Sequence, residues 1–246
     1  MLTRHFSKFV SMECTQGRIL ERRTNMLTPY DWQEGMNNRV SYIQGRIERG
    51  AAVLAVSLNA GIVIFTYRRQ SPKTFEIYDR LAFAGLGQQS DVEAIRTAAM
   101  EFAHREGYNR SEHDVTIQRV VTAVSTPIKA AFNDFSSAPA LAISLFAELG
   151  NEPDKDQYYV VDFDGDYHLQ RHTASLSGSE HPVMNLREEV PLELTPEKAA
   201  QKLATLWMQL TSNHGEKAVS LDGLTPEALF MERNSSRENV FRKLEL

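Results

Sequence analysis

Cysteine is nearly absent: Cys14 stands alone in 246 residues. That excludes an internal disulfide and any metal site built on several thiolates, and it fits a reducing compartment, so the chain is read as cytoplasmic. No apolar run approaches the ~18 residues a membrane span needs, so no membrane partner is expected. Arg4 and Lys8 are not followed by an apolar segment, so the N-terminus is not a secretory signal. There is no excess of basic charge either. Lys and Arg total 27 against 32 Asp and Glu, a net charge of −5, which argues against a general nucleic-acid binder. No internal repeat or low-complexity segment is present. What remains is an ordinary globular composition, 42% hydrophobic and 24% charged, in a chain long enough to bury a large core.

The stretch from Arg49 to Gly87 organises the rest. Four short runs, Ala51–Ser57, Ile62–Tyr67, Thr74–Tyr78 and Leu81–Leu86, lean on Val, Ile, Phe and Tyr and predict strands. Asn59-Ala60-Gly61 tolerates positive φ and predicts a hairpin between the first two. Ser90-Asp91-Val92-Glu93 fits a capping box, followed by a helix with Val92, Ile95, Ala99, Phe102 and Ala103 on one face. Ahead of the strands, Met1–Asn25 is unpatterned and predicts a poorly ordered extension over residues 1–26. It is read either as a propeptide or as a tail before Met26, itself a candidate initiator. Thr28-Pro29-Tyr30-Asp31 reads as a turn into a helix over 31–49, with Met36, Val40, Ile43 and Ile47 as its apolar stripe.

Beyond the opening, Asp114–Phe135 reads as a helix that Pro127 should kink or break. Pro139–Leu149 reads as a buried strand, and Tyr158–Phe163 and Asp166–Gln170 as a hairpin across Asp164-Gly165. A short helix is expected over Glu180–Glu189. A longer one starts at Thr195-Pro196-Glu197, with Ala199, Leu203, Leu206, Trp207 and Leu210 buried. Lys217–Leu221 and Glu227–Arg233 are the closing strands, with Phe241 an anchor in a charged tail.

Several motifs are weaker than they look. Asp162 to Asp166 lacks the glycine and glutamate spacing of a calcium loop, and reads as a solvated turn. His168 and His172 on a strand would lie roughly 13 Å apart, too far to share an ion. Ser177-Gly178-Ser179 with His181 lacks a strand–elbow–helix context for a serine nucleophile. Gly85-Leu86-Gly87 lacks the third glycine of a dinucleotide loop.

The residues Gly50-Ala51-Ala52-Val53, Gly61-Ile62-Val63, Lys73, Ile77-Tyr78-Asp79-Arg80, Gly85 and Gly87 resemble the first half of a proteasome subunit. Tyr30-Asp31 and the amphipathic helix behind it are similar to the α-type, particularly the short bacterial ones. The resemblance runs from Leu27 to the C-terminus and is strongest over Tyr30–Val121. It implies one domain over 27–246 with the N-terminal-nucleophile hydrolase fold: α+β, a four-layer αββα sandwich of two antiparallel sheets flanked by helices.

An active subunit of this kind opens its first strand with a threonine whose own amino group serves as base, assisted by a carboxylate and a lysine. Counting from Gly61, those positions hold Ala51, Tyr67 and Lys73, so no catalytic residue is assigned. The resemblance then implies a non-catalytic ring of seven identical copies stacked on β-type catalytic subunits. Pro29, Tyr30 and Asp31 would lie at the gate. Lys73, Gly50 and Gln88 would line the pocket that takes an ATPase activator's C-terminal tail, Gln88 standing where the family often has an apolar residue. No cofactor or metal is implied. The alternatives are a self-processing peptidase of the same fold, exposing for example Thr28, and a free-standing homo-oligomeric paralogue.

Overall fold

The computed structural model describes residues 29–178, 186–212, 223–237 and 239–246. The chain divides into two compact units, Met1–Asn37 and Asn38–Leu246. The described part of the first is the opening of helix α1 (Pro29–Ile47). Pro29, Tyr30 and Asp31 are helical rather than a turn, and the helix stops at Ile47, short of the expected 49. Proline suits a first helical turn, where its missing N–H costs nothing, and Asp31 then faces the positive helix end. The extension over residues 1–26 lies outside the described residues.

The second unit holds two antiparallel five-stranded sheets. One contains β1 (Val53–Leu58), β2 (Gly61–Arg68), β8 (Thr173–Leu176), β9 (Thr225–Glu232) and β10 (Phe241–Leu244), in the order β10-β9-β2-β1-β8. The other runs β3-β4-β5-β6-β7, from β3 (Thr74–Tyr78), β4 (Leu81–Gly87), β5 (Ala142–Glu148), β6 (Gln157–Val161) and β7 (Tyr167–Gln170). Helices α2 (Gln89–Asn109) and α3 (Ile117–Asn133) cover the second sheet through Val92, Ala99, Val121 and Val124 against Phe83 and Phe146. Helices α4 (Leu186–Glu189) and α5 (Pro196–Ser212) cover the first, with Leu203 and Trp207 against Phe65 and Phe230. The architecture is the expected four-layer α+β sandwich.

Burial on both faces explains why the strands lack polar alternation. In β1, Leu54, Val56 and Leu58 pack toward α5. Val53, Ala55 and Ser57 are equally buried on the other face, where Ser57 Oγ shares a 2.7 Å hydrogen bond with Tyr158 OH of β6. A buried ion pair also ties the sheets. Arg233, just past β9, grips Asp156 with two 2.8 Å contacts, Nη1 to Oδ1 and Nη2 to Oδ2. The same guanidinium donates to the carbonyls of Leu58, Asn59 and Gly150, so one side chain fastens the β1–β2 turn to the β5–β6 connection.

Local expectations met mixed outcomes. The β1–β2 hairpin is there, with Gly61 at φ 147, and so is the turn at Gly165, φ 84. The capping box at Ser90 is not. Helix α2 is capped two residues earlier, by Gln88, whose amide donates to Ser90 Oγ at 2.9 Å, and Asp91 Oδ2 accepts the Leu141 N–H at 2.7 Å. Helix α3 runs through Pro127, which is exposed, so water can take the carbonyl that proline leaves unpaired. Thr195 opens α5 as expected, its carbonyl accepting the Ala199 N–H at 2.9 Å. Of the helix expected over Glu180–Glu189, Leu186–Glu189 is helical and the earlier part lies outside the described residues, as does Lys217–Leu221.

Candidate functional site

The site forms where β1 begins. The ladder pairs Val53 with Thr66, and Thr66 with Glu227 of β9. The same register sets Ala52 beside Tyr67 and Ala51 beside Arg68, with β9 beyond. The Ala52 carbonyl accepts two hydrogen bonds, from Thr66 Oγ1 at 2.8 Å and from Trp207 Nε1 of α5 at 2.9 Å. Tyr67 is buried between rings, 4.5 Å from Trp207 and 5.3 Å from Phe65.

Lys73 closes the other side. Its ammonium donates to the Ala51 carbonyl at 3.1 Å, so the lysine faces the position expected of the nucleophile. Burial holds its amine down to about 8, the Glu227 carboxylate pulls it partly back up, and the Arg69 guanidinium pushes it down. Glu227 is itself buried. It accepts the Lys73 N–H at 3.1 Å, the Thr74 N–H at 3.0 Å and the Thr74 hydroxyl at 2.6 Å, and lies 3.6 Å from Arg68 Nε.

This arrangement cannot perform threonine-protease chemistry. Alanine offers no nucleophile at 51, and an aromatic ring fills the place of the carboxylate at 67. The nearby hydroxyl of Thr66 is fully buried and spends its proton on a carbonyl. What persists is a partly desolvated ammonium suited to an anion.

The three expected pocket residues fall at one end of the sheets. Gly50 and Lys73 meet around Ala51, and the Gly85 N–H donates to the Lys73 carbonyl at 3.2 Å. Gly50 has an internal reason to be glycine, because a Cβ there would sit 2.6 Å from Cγ and Cδ2 of buried Leu86. Gly50→Ala should therefore cost about 1–3 kcal/mol in a urea unfolding curve, as overpacking does. An unchanged midpoint would show that Leu86 yields freely. Gln88 lies two residues past Leu86, exposed, its amide donating to Ser90 Oγ at 2.9 Å. It also borders a cleft of about 540 Å³ between the helices, together with Tyr42, Ala98, Pro127 and Leu141. Of the expected gate residues, Tyr30 is 83% exposed in the first turn of α1.

Sequence reasoning missed Glu227. The signal was available: in β9 Glu227 alternates in phase with Leu229 and Met231, both buried, which marks an acid on an inward face. Among the described residues no group of three or more His, Cys, Asp or Glu could hold a metal, and no helix is long and apolar enough to cross a membrane.

The proteasome subunit family model matches residues 46–217. The chain belongs to the proteasome subunit family. Similar proteins include the "Proteasome subunit alpha" of Thermobifida fusca, 33% identical over 62% of this chain and 62% of its own length. That of Jonesia denitrificans is 29% identical over 85% of this chain and 89% of its own. That of Streptomyces griseus is 24% identical over 89% and 82%. In this proteasome-family chain the first strand keeps its place while the residues that would make it catalytic are gone.

Proposed function

We propose that this chain is an α-type proteasome subunit, a cytoplasmic, non-catalytic ring component of a threonine-protease complex. Copies assemble in a seven-membered ring stacked on β-type catalytic subunits. The ring narrows access to the proteolytic chamber, and ATPase activators dock on it through their C-terminal tails. The observation that carries the reading is the start of β1, with Ala51 at the nucleophile position and Tyr67 wedged between Phe65 and Trp207. The names of the similar proteins support the α assignment. Lys73, Gly50 and Gln88 form the docking pocket, and the residues up to Asp31 form the gate.

The test is assembly. Co-expressed with a β-type subunit, the chain should co-purify in a stacked-ring particle that hydrolyses peptides, while the chain alone hydrolyses none. Removing Met1–Pro29 should raise hydrolysis of a small fluorogenic peptide several-fold in the absence of activator. An unchanged rate removes the gating role. Turnover by the chain alone, lost on altering Thr28, would instead establish the self-processing peptidase.

A further inference from the structure

The geometry points to Glu227 as a positioning residue of the docking site: from inside the sheet it fixes the backbone at Lys73 and supplies the negative charge that lets an ammonium persist there to meet a peptide's terminal carboxylate. The inference rests on the docking reading above, but it concerns a residue that reading does not include.

Three observations support it. First, Glu227 belongs to β9 of one sheet, yet its oxygens take the N–H groups of Lys73 and Thr74, where β3 of the other sheet begins. Two successive backbone donors on one carboxylate, reinforced by the Thr74 hydroxyl at 2.6 Å, fix where the Lys73 side chain starts. Second, Glu227 is only 7% exposed, so its charge acts through a medium that screens weakly. Third, the Lys73 ammonium is turned to the Ala51 carbonyl and makes no direct ion pair with Glu227. A neutral carbonyl is a partner that an incoming carboxylate can replace, whereas a direct ion pair would compete with the tail.

The charges acting on Lys73 are few. Glu227 favours the ammonium, Arg69 opposes it, and Arg68, 3.6 Å from Glu227, partly offsets that carboxylate. Removing the Glu227 charge leaves burial and Arg69 unopposed.

Competitive labelling with acetic anhydride across pH, read by mass spectrometry at Lys73, measures the amine's midpoint in the purified chain without any activator. The parent midpoint should lie near 8. In Glu227→Gln, a near-isostere, it should fall to about 7. The charged fraction at pH 7.5 then drops roughly threefold. In the α–β particle, ATPase stimulation of peptide hydrolysis should drop likewise at pH 7.5 and return at pH 6.

An unmoved midpoint overturns the proposal. So does stimulation lost equally at every pH, the mark of a merely structural carboxylate. A falling midpoint with no stimulation of parent or variant leaves Glu227 its effect on Lys73 and removes the docking reading instead. Where the Gln variant fails to fold, Glu227→Asp keeps the charge but withdraws it by one methylene, and its midpoint should fall less in the same direction. A parent midpoint at the ordinary lysine value of about 10.4 would mean that the offset to burial is complete, and the fall in the variant then decides whether Glu227 supplies it.

Discussion

Arg233→Ala should lower the unfolding free energy by about 3–5 kcal/mol. Asp156 has no exposed surface and the Arg233 side chain is 4% exposed, so the pair is held out of water. With arginine gone, Asp156 keeps the Gly150 N–H at 2.9 Å but no counter-charge. The carbonyls of Leu58, Asn59 and Gly150 lose their shared donor as well. Urea unfolding at one fixed protein concentration measures the change, because ring assembly would otherwise shift apparent stability by mass action. The double variant Arg233→Met, Asp156→Leu should recover only part of the loss: it removes the stranded charge but not the stranded carbonyls. A single-variant loss below about 1 kcal/mol would mean that water reaches the pair in solution.

Lys73→Ala should abolish activator stimulation of the α–β particle while leaving particle assembly intact. Truncating one partner of a desolvated, charge-assisted pair costs on the order of 2–5 kcal/mol, much of it from stranding the other charge. In docking affinity that is roughly 30-fold to several thousand-fold. The pH dependence has a definite sign. The tail carboxylate stays ionised throughout, and the lysine, held down to about 8 by burial, loses its proton as pH rises through that value. Parent stimulation should therefore be full near pH 6.5 and decline above about 8, a limb that Lys73→Ala lacks. A variant stimulated like the parent reduces Lys73 to a surface lysine and ends the docking proposal.

The sheets could be read from sequence where strands are buried on both sides. In β1, β2, β4 and β5 nearly every residue is buried, and such runs stand out from composition alone. Strands β8 and β10 escaped because neither an apolar run nor a turn signal marks them, whereas the equally short edge strand β7 follows the Asp164-Gly165 turn. Each is four residues long with one ladder neighbour, and Phe241-Arg242-Lys243-Leu244 reads as a charged tail until β9 lies beside it. Ser90 misled for a different reason. The box spacing is present, but the helix is capped two residues earlier at Gln88, Ser90 Oγ bonds to Gln88 and Asp91, and Glu93 is taken by Arg96. At the site, Lys73, ahead of β3, came only from the resemblance, while Ala51 and Tyr67 could be set on the hairpin by counting from one turn glycine, because a hairpin fixes register. The partners that decide their chemistry could not. Glu227 lies 154 residues from Lys73 in sequence, Asp156 77 from Arg233, and no local pattern links either pair.

The aromatic seal beside Ala52 bears on reversibility. Restoring a hydroxyl at position 51 is one substitution, yet it would not restore the chemistry. Tyr67→Asp would set a carboxylate against Phe65 and Trp207 and empty the space that the tyrosine ring now fills, and a charge packed against two rings is strongly disfavoured. Trp207 cannot simply shrink to relieve that contact, since its indole N–H satisfies the Ala52 carbonyl at the head of the strand. Tyr67→Asp alone therefore lowers stability before any activity could appear. Packing thus sets a barrier, and a route from this site to a hydrolase passes through several coordinated changes at once.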